Sequence, residues 1–429
     1  MAAIPRPTTR FRRFASGIIR LAAGAAIAVP GCEMSVLRPN RTATRLAFAV
    51  QPANVSANHP ITPAIEVTVL DDGGSTVPDL VGSVTVSLGA NPADGKLSGS
   101  LTRALSSGRA TFPDLTIDGD GSGYTLVASA SGLFPATSSA FSVTCITNCW
   151  TAKAPMPTRR TFFGVGVVNG MLYAVGGLAS GTRAATVEAY HAGTNSWIAR
   201  APLPTPRSGL AVAVLNGVLY AVGGRPSGAD ATGIVEAYDA TTNTWATKAA
   251  MPTARSELGL GVTHGRLYAI GGIAQNFRDT AVVEAYDPGS DSWAAMTPMP
   301  TARSSFGTAV VNDVIYVFGG EGLISPSSAM EAYDPGSNAW TTKASMPTPR
   351  SGLGAASAGG FIYAVGGRSI GISSAVERYD PVSNTWAARA PLPTARVLLS
   401  IGILDGILYA IGGSTATVPF PGTNEAYQP

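Results

Sequence analysis

Six arginines, Arg160, Arg207, Arg255, Arg303, Arg350 and Arg396, stand at near-equal intervals, each just ahead of an apolar run. A guanidinium presents a planar fork of donors that matches a carboxylate or phosphate, so a set of them gathered at one place would hold an anionic ligand. A second set repeats with them, a Glu-x-Tyr triplet beginning at Glu188, Glu236, Glu284, Glu331, Glu377 and Glu425. A carboxylate beside a tyrosine on every copy of a strand satisfies local donors more readily than it performs acid–base chemistry. Other catalytic chemistry is thinly supplied. The chain has three histidines, none beside a convincing nucleophile, which argues against a hydrolytic triad. It has three cysteines, and Cys145 and Cys149 without nearby histidines make a poor zinc site. Neither a metal nor a cofactor is expected.

The elements that position these residues are written in the repeats. Gly-Gly pairs fall at 176–177, 223–224, 271–272, 319–320, 366–367 and 412–413, and tryptophans at 150, 197, 245, 293, 340 and 386. Intervals of 46–48 residues between the Gly-Gly pairs are those of a β-propeller with four strands per blade. In the copy Arg207–Arg255, GLAVAVLNG reads as the first strand, VLYAVGG as the second, IVEAYDA as the third and TWATKA as the fourth. Asn-Gly or Asp-Gly between the first two suits a tight hairpin. The chain stops after Tyr427 with no tryptophan following, while Trp150 precedes the first complete unit. Trp150–Ala154 is therefore expected to be the fourth strand of the last blade, pairing the two ends of the repeat region and covering otherwise open edges.

The pattern resembles the kelch repeat: Arg before strand one, Tyr-x-x-Gly-Gly ending strand two, Glu-x-Tyr-Asp in strand three, then Trp. Six copies carry these markers, with His191 and Gln428 replacing the Asp after Tyr190 and Tyr427. The resemblance implies a six-bladed propeller over 145–429 with a partner-binding face, its ring closed within one chain and expected to be monomeric. Copper-dependent kelch oxidases use Cys, Tyr and His ligands, and this repeat region offers only His191, His264 and Cys149, which argues against that activity.

Strand alternation places the six arginines toward the channel mouth on one face. At about 10 Å separation in water, neighbouring guanidinium groups repel by only ~0.4 kcal/mol, so a solvated ring would be tolerable. Two roles stay open for them: each holds its own blade by bonding a backbone carbonyl or a repeated Glu, or several together hold a ligand. The loops after Gly-Gly share that face and differ between copies. They carry Arg183, Arg225, Asp230, Gln275, Asn276, Phe277, Arg278, Asp279, Glu321 and Arg368, and loops released from packing rules are where recognition resides. The alternative for any one of them is drift in a solvated hairpin. From these sets the ligand-binding candidates are the six arginines with Arg225, Phe277, Arg278, Glu321 and Arg368. Glu257 and Glu321 are the distinctive acids near this face.

Upstream, residues 45–144 carry about seven β-like runs separated by turn signals, which suggests a β-sandwich. The stretches QPANVSANHPITPAIEVTVLDDGG and GRATFPDLTIDGDGSGYTLVASASG resemble bacterial immunoglobulin-like modules, implying a spacer or adhesive unit. Asp118-Gly-Asp120-Gly resembles the start of a calcium loop, but Ser129 stands where a bidentate Glu belongs, so a glycine-rich hairpin is the better reading. Residues 1–31 have the form of an export signal, with five arginines in the first 20 residues and a short apolar run, Leu21–Val29. Val29-Pro30-Gly31-Cys32 resembles a lipobox, implying acylation of Cys32 and a tether over 32–44, although Pro30 departs from the pattern; ordinary secretion is the alternative. Cys145 and Cys149 then remain as an even pair that could close a small disulfide in an oxidising compartment.

Charge narrows the partners. The formal net charge is +3, but without the five leading arginines 24 basic residues face 26 acidic ones, a net of −2. No basic run remains for nucleic acid. The expectation is an all-β protein, a six-bladed kelch propeller preceded by an immunoglobulin-like sandwich, monomeric and held to a membrane only through a lipid anchor if at all. It would be non-catalytic and bind a protein or glycan. A kelch-type mutarotase or epimerase acting on an acidic sugar is the alternative, and a scaffold without ligand the third reading.

Overall fold

The sequence yields strands because its apolar runs are short, β-rich and bounded by turn residues, and the structure contains only strands and turns among the described residues. It is a computed structural model describing residues 41–93, 95–321 and 325–429. The export signal at 1–31, Cys32 and most of the tether lie outside the described residues. Thr42–Pro429 form one unit.

Within residues 45–144, small sheets enclose one core. Ile65–Leu70 is the middle strand of three, between Arg45–Val50 and Arg109–Phe112. A four-stranded sheet carries Ser83–Leu88 and Leu126–Ser129 at its centre. Alternation does the folding: Val84 and Val86 are fully buried while Ser83, Thr85 and Ser87 face out. Their inward faces meet Val67, Phe112, Leu126 and Phe141. Asp118 and Asp120, the acids of the glycine-rich turn, accept backbone N–H groups from Lys96 (2.6 Å) and Cys145 (3.0 Å).

From Cys149 on, the chain forms six four-stranded antiparallel sheets. Blade 2 is typical, with strands Ala211–Leu215, Val218–Val222, Val235–Asp239 and Thr244–Lys248 ordered from the channel outward. The second and third strands read almost wholly buried because both of their faces are covered by neighbouring blades. Between blades the second-strand tyrosine of one packs on the third-strand tyrosine of the next, for example Tyr173 on Tyr238 at 5.6 Å between ring centroids. Tyr363 on Tyr427 and Tyr409 on Tyr190 complete the circle.

Glycine has a specific task at the blade junctions. Gly223 and Gly224 have φ of 64° and 102°. A Cβ on Gly223 would lie 2.5 Å from the carbonyl oxygen of Arg255 in the next blade. The Gly224 N–H donates to that same carbonyl at 2.8 Å, and Gly413 repeats the bond to Arg160 across the seam. Only a residue without a side chain allows this approach.

The seam is made as the tryptophan count requires. Cys149–Lys153 pairs antiparallel with Asn424–Gln428, Trp150 opposite Tyr427. Asn148 then serves as the sixth copy of a latch residue that stands two places before each tryptophan. Its Oδ1 accepts the Ala390 N–H of the preceding blade at 2.9 Å and the Tyr427 hydroxyl at 2.7 Å. Asn243 does the same with Ala201 and Tyr238. Cys145 and Cys149 form a disulfide that encloses Asn148, and the Cys149 side chain packs in the core of residues 45–144. The last blade is thus joined to the upstream sheets without a linker.

The six arginines are corrected as binding candidates here. Arg160, Arg207, Arg255, Arg303, Arg350 and Arg396 are all 0% exposed. Each guanidinium pairs with the repeated glutamate of its own blade, Arg255 with Glu284 at 2.8 Å and Arg350 with Glu377 at 2.7 Å. Other donors go to carbonyls of the second strand and the loop after it: Arg207 donates to Gly223 and Ala221, Arg396 to Gly412 and Thr423, while the Nε of Arg160, Arg303 and Arg350 has no partner among the described residues. A threonine two residues before each arginine donates its hydroxyl to the same glutamate, as Thr253 does to Glu284 at 2.8 Å. Burial pulls the arginines down from their ordinary range, Arg160 and Arg255 to about 10, against the opposing pull of their glutamates. Each is shut away from solvent and ion-paired within its own blade, which removes the six as binding candidates.

Candidate functional site

Two residues beyond each buried arginine the chain turns back toward the channel. These positions hold Phe162, Gly209, Glu257, Ser305, Gly352 and Leu398, one per blade. All six have left-handed backbones, with φ between 51° and 66°. Backbone bonds join five of the six junctions, from blade 1 to blade 6: Gly209 N–H to Phe162 O, Glu257 to Gly209, Ser305 to Glu257, Gly352 to Ser305 and Leu398 to Gly352, at 2.7–3.1 Å. With the backbones bonded to one another, the side chains are what the channel mouth has left to offer a ligand.

These residues, the ones that follow each of them just ahead of the inner strands, and Ser400 line a cavity of about 110 Å³. Its wall is mixed: Phe163, Leu210, Leu258, Phe306, Leu353 and Leu399 stand behind the ring, and polar atoms make up a large share of the open surface. Glu257 is the single acid in it, and its Oε2 accepts the Ser305 hydroxyl at 2.5 Å. Burial raises the Glu257 carboxyl above the ordinary carboxylate range; the Ser305 hydrogen bond and Arg225 oppose this, while Asp279 and Glu321 add to it. A carboxyl so placed accepts hydrogen bonds from a bound hydroxyl when ionised and donates one when protonated.

The divergent loops reach this side of the mouth. Arg225, from the second-to-third loop of blade 2, extends toward blade 3, where its Nη2 donates to Ser256 Oγ at 3.4 Å. Its guanidinium lies 4.9 Å from the centre of the Phe277 ring, and Phe277 is 66% exposed. Glu321 accepts the Ser351 hydroxyl at 2.7 Å. Arg225, Phe277 and Glu321 thus gather over blades 2–5, near Glu257. Arg278 is exposed on the same loop as Phe277, and its backbone closes the hairpin to Ala274. Arg368 is exposed on blade 5, its backbone paired with Ser351.

The ring of six was missed as a site in the sequence, though Glu257 was noticed as an unusual acid. The signal was there: each position lies two residues after an aligned arginine, and reading down the copies gives Phe, Gly, Glu, Ser, Gly and Leu. A position that varies this widely beside a fixed one is released from the repeat's packing rules.

Comparison with known proteins agrees with the geometry. Residues 246–413 match the KLHDC2/KLHL20/DRC7 Kelch-repeats domain. Residues 159–204 and 206–252 each match the Kelch motif. The solved structure of YjhT superposes with a TM-score of 0.57 at 18% sequence identity, covering 63% of this chain and 95% of that one. At that identity the likeness speaks for the fold alone. No curated protein sequence matches this chain.

Proposed function

We propose that this chain, a kelch-repeat β-propeller, is a binding protein that holds a small glycan or the terminal residue of a larger one at its channel mouth. One observation carries the reading. The fold consumes the six arginines and six glutamates internally, and it leaves Glu257 and Ser305 in one cavity at the channel mouth, with Arg225 and Glu321 close enough on the same face to act on the Glu257 carboxyl. A concave wall that mixes apolar side chains with a few convergent polar groups suits a small hydroxylated ligand better than a flat protein surface. Saturable binding to a glycan panel, measured by calorimetry, is expected to be lost in Arg225→Glu and Glu257→Gln. It should be kept in Arg266→Glu, whose side chain lies at the opposite face, paired with Asp287. Equal losses from both faces would refute the assignment.

A second reading draws on the half-buried Glu257 carboxyl, raised by desolvation and hydrogen-bonded to Ser305. Such a group can exchange a proton with a sugar ring oxygen or anomeric hydroxyl, as mutarotation requires. Arg225 is the cation that would meet an acidic sugar. Faster anomer exchange by NMR across a panel of acidic sugars would favour it, and none would end it.

The setting we propose is the cell envelope, reached through residues 1–31 and held by acylation of Cys32, with residues 45–144 as an immunoglobulin-like spacer. The Cys145–Cys149 disulfide supports an oxidising compartment. Metabolic labelling with a fatty acid should mark the protein and be absent from Cys32→Ser; equal labelling of both would remove the anchor.

A further inference from the structure

We infer that the channel mouth selects a ligand with one apolar face and one hydroxyl-bearing edge, and that Phe162 and Leu398 are the residues that set this selectivity. The inference rests on the binding reading above and specifies its ligand class.

The backbone is where the reasoning starts. At all six ring positions φ is positive, a conformation that disfavours any residue with a Cβ. Glycine fills it without strain, and at Gly209 and Gly352 it does so while donating and accepting ring bonds as Glu257 and Ser305 do. The fold therefore accepts glycine here. Phe162 (φ 53°) and Leu398 (φ 58°) are large residues held in a conformation that neither prefers.

Packing does not account for them. Their immediate neighbours Phe163 and Leu399 are buried members of the blade cores. Phe162 and Leu398 are only half-buried, belong to no core cluster, and line the cavity. Strain that packing does not compensate is characteristic of functional positions.

Their arrangement gives the ligand its shape. Inner strands of successive blades touch in order around the channel, and blade 6 touches blade 1. Phe162 of blade 1 and Leu398 of blade 6 are therefore neighbours, forming an apolar wall. Glu257 of blade 3 and Ser305 of blade 4 face them from the other side as a polar wall. Gly209 and Gly352, on blades 2 and 5, separate the two walls. A pyranose presents this pair of surfaces, a face of C–H groups to lie against Phe162 and Leu398 and an edge of hydroxyls to bond Glu257 and Ser305.

The test uses phenyl β-D-glucopyranoside, which has an apolar ring and hydroxyls, and sorbitol, which has hydroxyls and no apolar face, each titrated by saturation-transfer NMR. Wild-type protein should bind the glucoside at least tenfold more tightly than sorbitol. The double variant Phe162→Gly/Leu398→Gly should lose that tenfold preference while melting at the same temperature or higher. Glu257→Gln should weaken both probes. Two results overturn the inference: an intact preference in the double variant, or a clear fall in its melting temperature, which would return both side chains to a packing role. Binding that survives Phe162→Gly/Leu398→Gly unchanged but is lost in Glu257→Gln would leave the binding site standing without this selectivity. Failure of wild-type protein to bind either probe would remove the site reading and this inference together.

Discussion

Replacing Asn148 with alanine tests how the ring is closed. In the wild type its Oδ1 accepts the Ala390 N–H at 2.9 Å and the Tyr427 hydroxyl at 2.7 Å, and its backbone sits at φ 51°. Alanine leaves both donors without that acceptor. Each loss costs about 1–3 kcal/mol where water cannot compensate, and the exposure around Ala390 draws that bond toward the low end. The left-handed backbone adds about 1 kcal/mol for alanine. The sum is about 3–5 kcal/mol, or roughly 6–10 °C in melting temperature at about 2 °C per kcal/mol for a large domain. Asn243→Ala is the matched control, since Asn243 makes the equivalent bonds to Ala201 and Tyr238 from φ 56°. The two differ in position. Asn148 guards the pairing of Cys149–Lys153 with Asn424–Gln428, which joins segments some 275 residues apart. Calorimetry should show comparable destabilisation for both variants. Hydrogen exchange should show faster opening at 424–428 for Asn148→Ala alone. Asn148→Ala with unchanged melting and unchanged exchange at 424–428, beside a destabilised Asn243→Ala, would refute the closure argument.

Two further outcomes follow from the buried charges. Arg207→Met leaves the Glu236 carboxylate buried without its partner and should destabilise the protein by about 3–5 kcal/mol in chemical denaturation, with ligand affinity of the folded fraction unchanged. For Glu257 the folded carboxyl titrates above its unfolded value, so the folded state binds the extra proton between the two. Stability on this account falls as pH rises through that window and stays lower above it. Glu257→Gln should therefore stabilise the protein at pH 7 and make no difference below the unfolded carboxylate range. Denaturation curves at both pH values check the sign.

The blades were readable because each repeat must solve the same packing problem. Gly-Gly, Glu-x-Tyr and Trp recur because a four-stranded sheet covered on both faces needs a close approach at one end and flat groups between layers. Counting tryptophans was enough to place Trp150 in the last blade. The latch at Asn148 was equally present in the repeats, as an Asn or Asp two residues before each tryptophan, and passed unnoticed because its partners lie in the adjacent blade. The arginines show the limit. Their spacing could serve a ligand ring or a set of internal ties, and the sequence offered both. Only the folded blade, which brings Arg255 to within 2.8 Å of Glu284 and shuts out water, assigns them to the fold.

Sequence alone determined the all-β class, the six repeats, the strand order within a blade and the strand that closes the ring. These depend on local periodicity and on counting, which a chain carries in one dimension. The tertiary structure decided which charges are spent and which are free. It buried the arginines that looked available and set Phe162, Glu257, Ser305 and Leu398 around one cavity. Those four are separated by 48–95 residues along the chain and are dissimilar in kind; their shared place two residues after an aligned arginine marks an equivalent position in each repeat but not that the positions meet. They become a site because closing the ring brings the equivalent turn of every blade to the same axis.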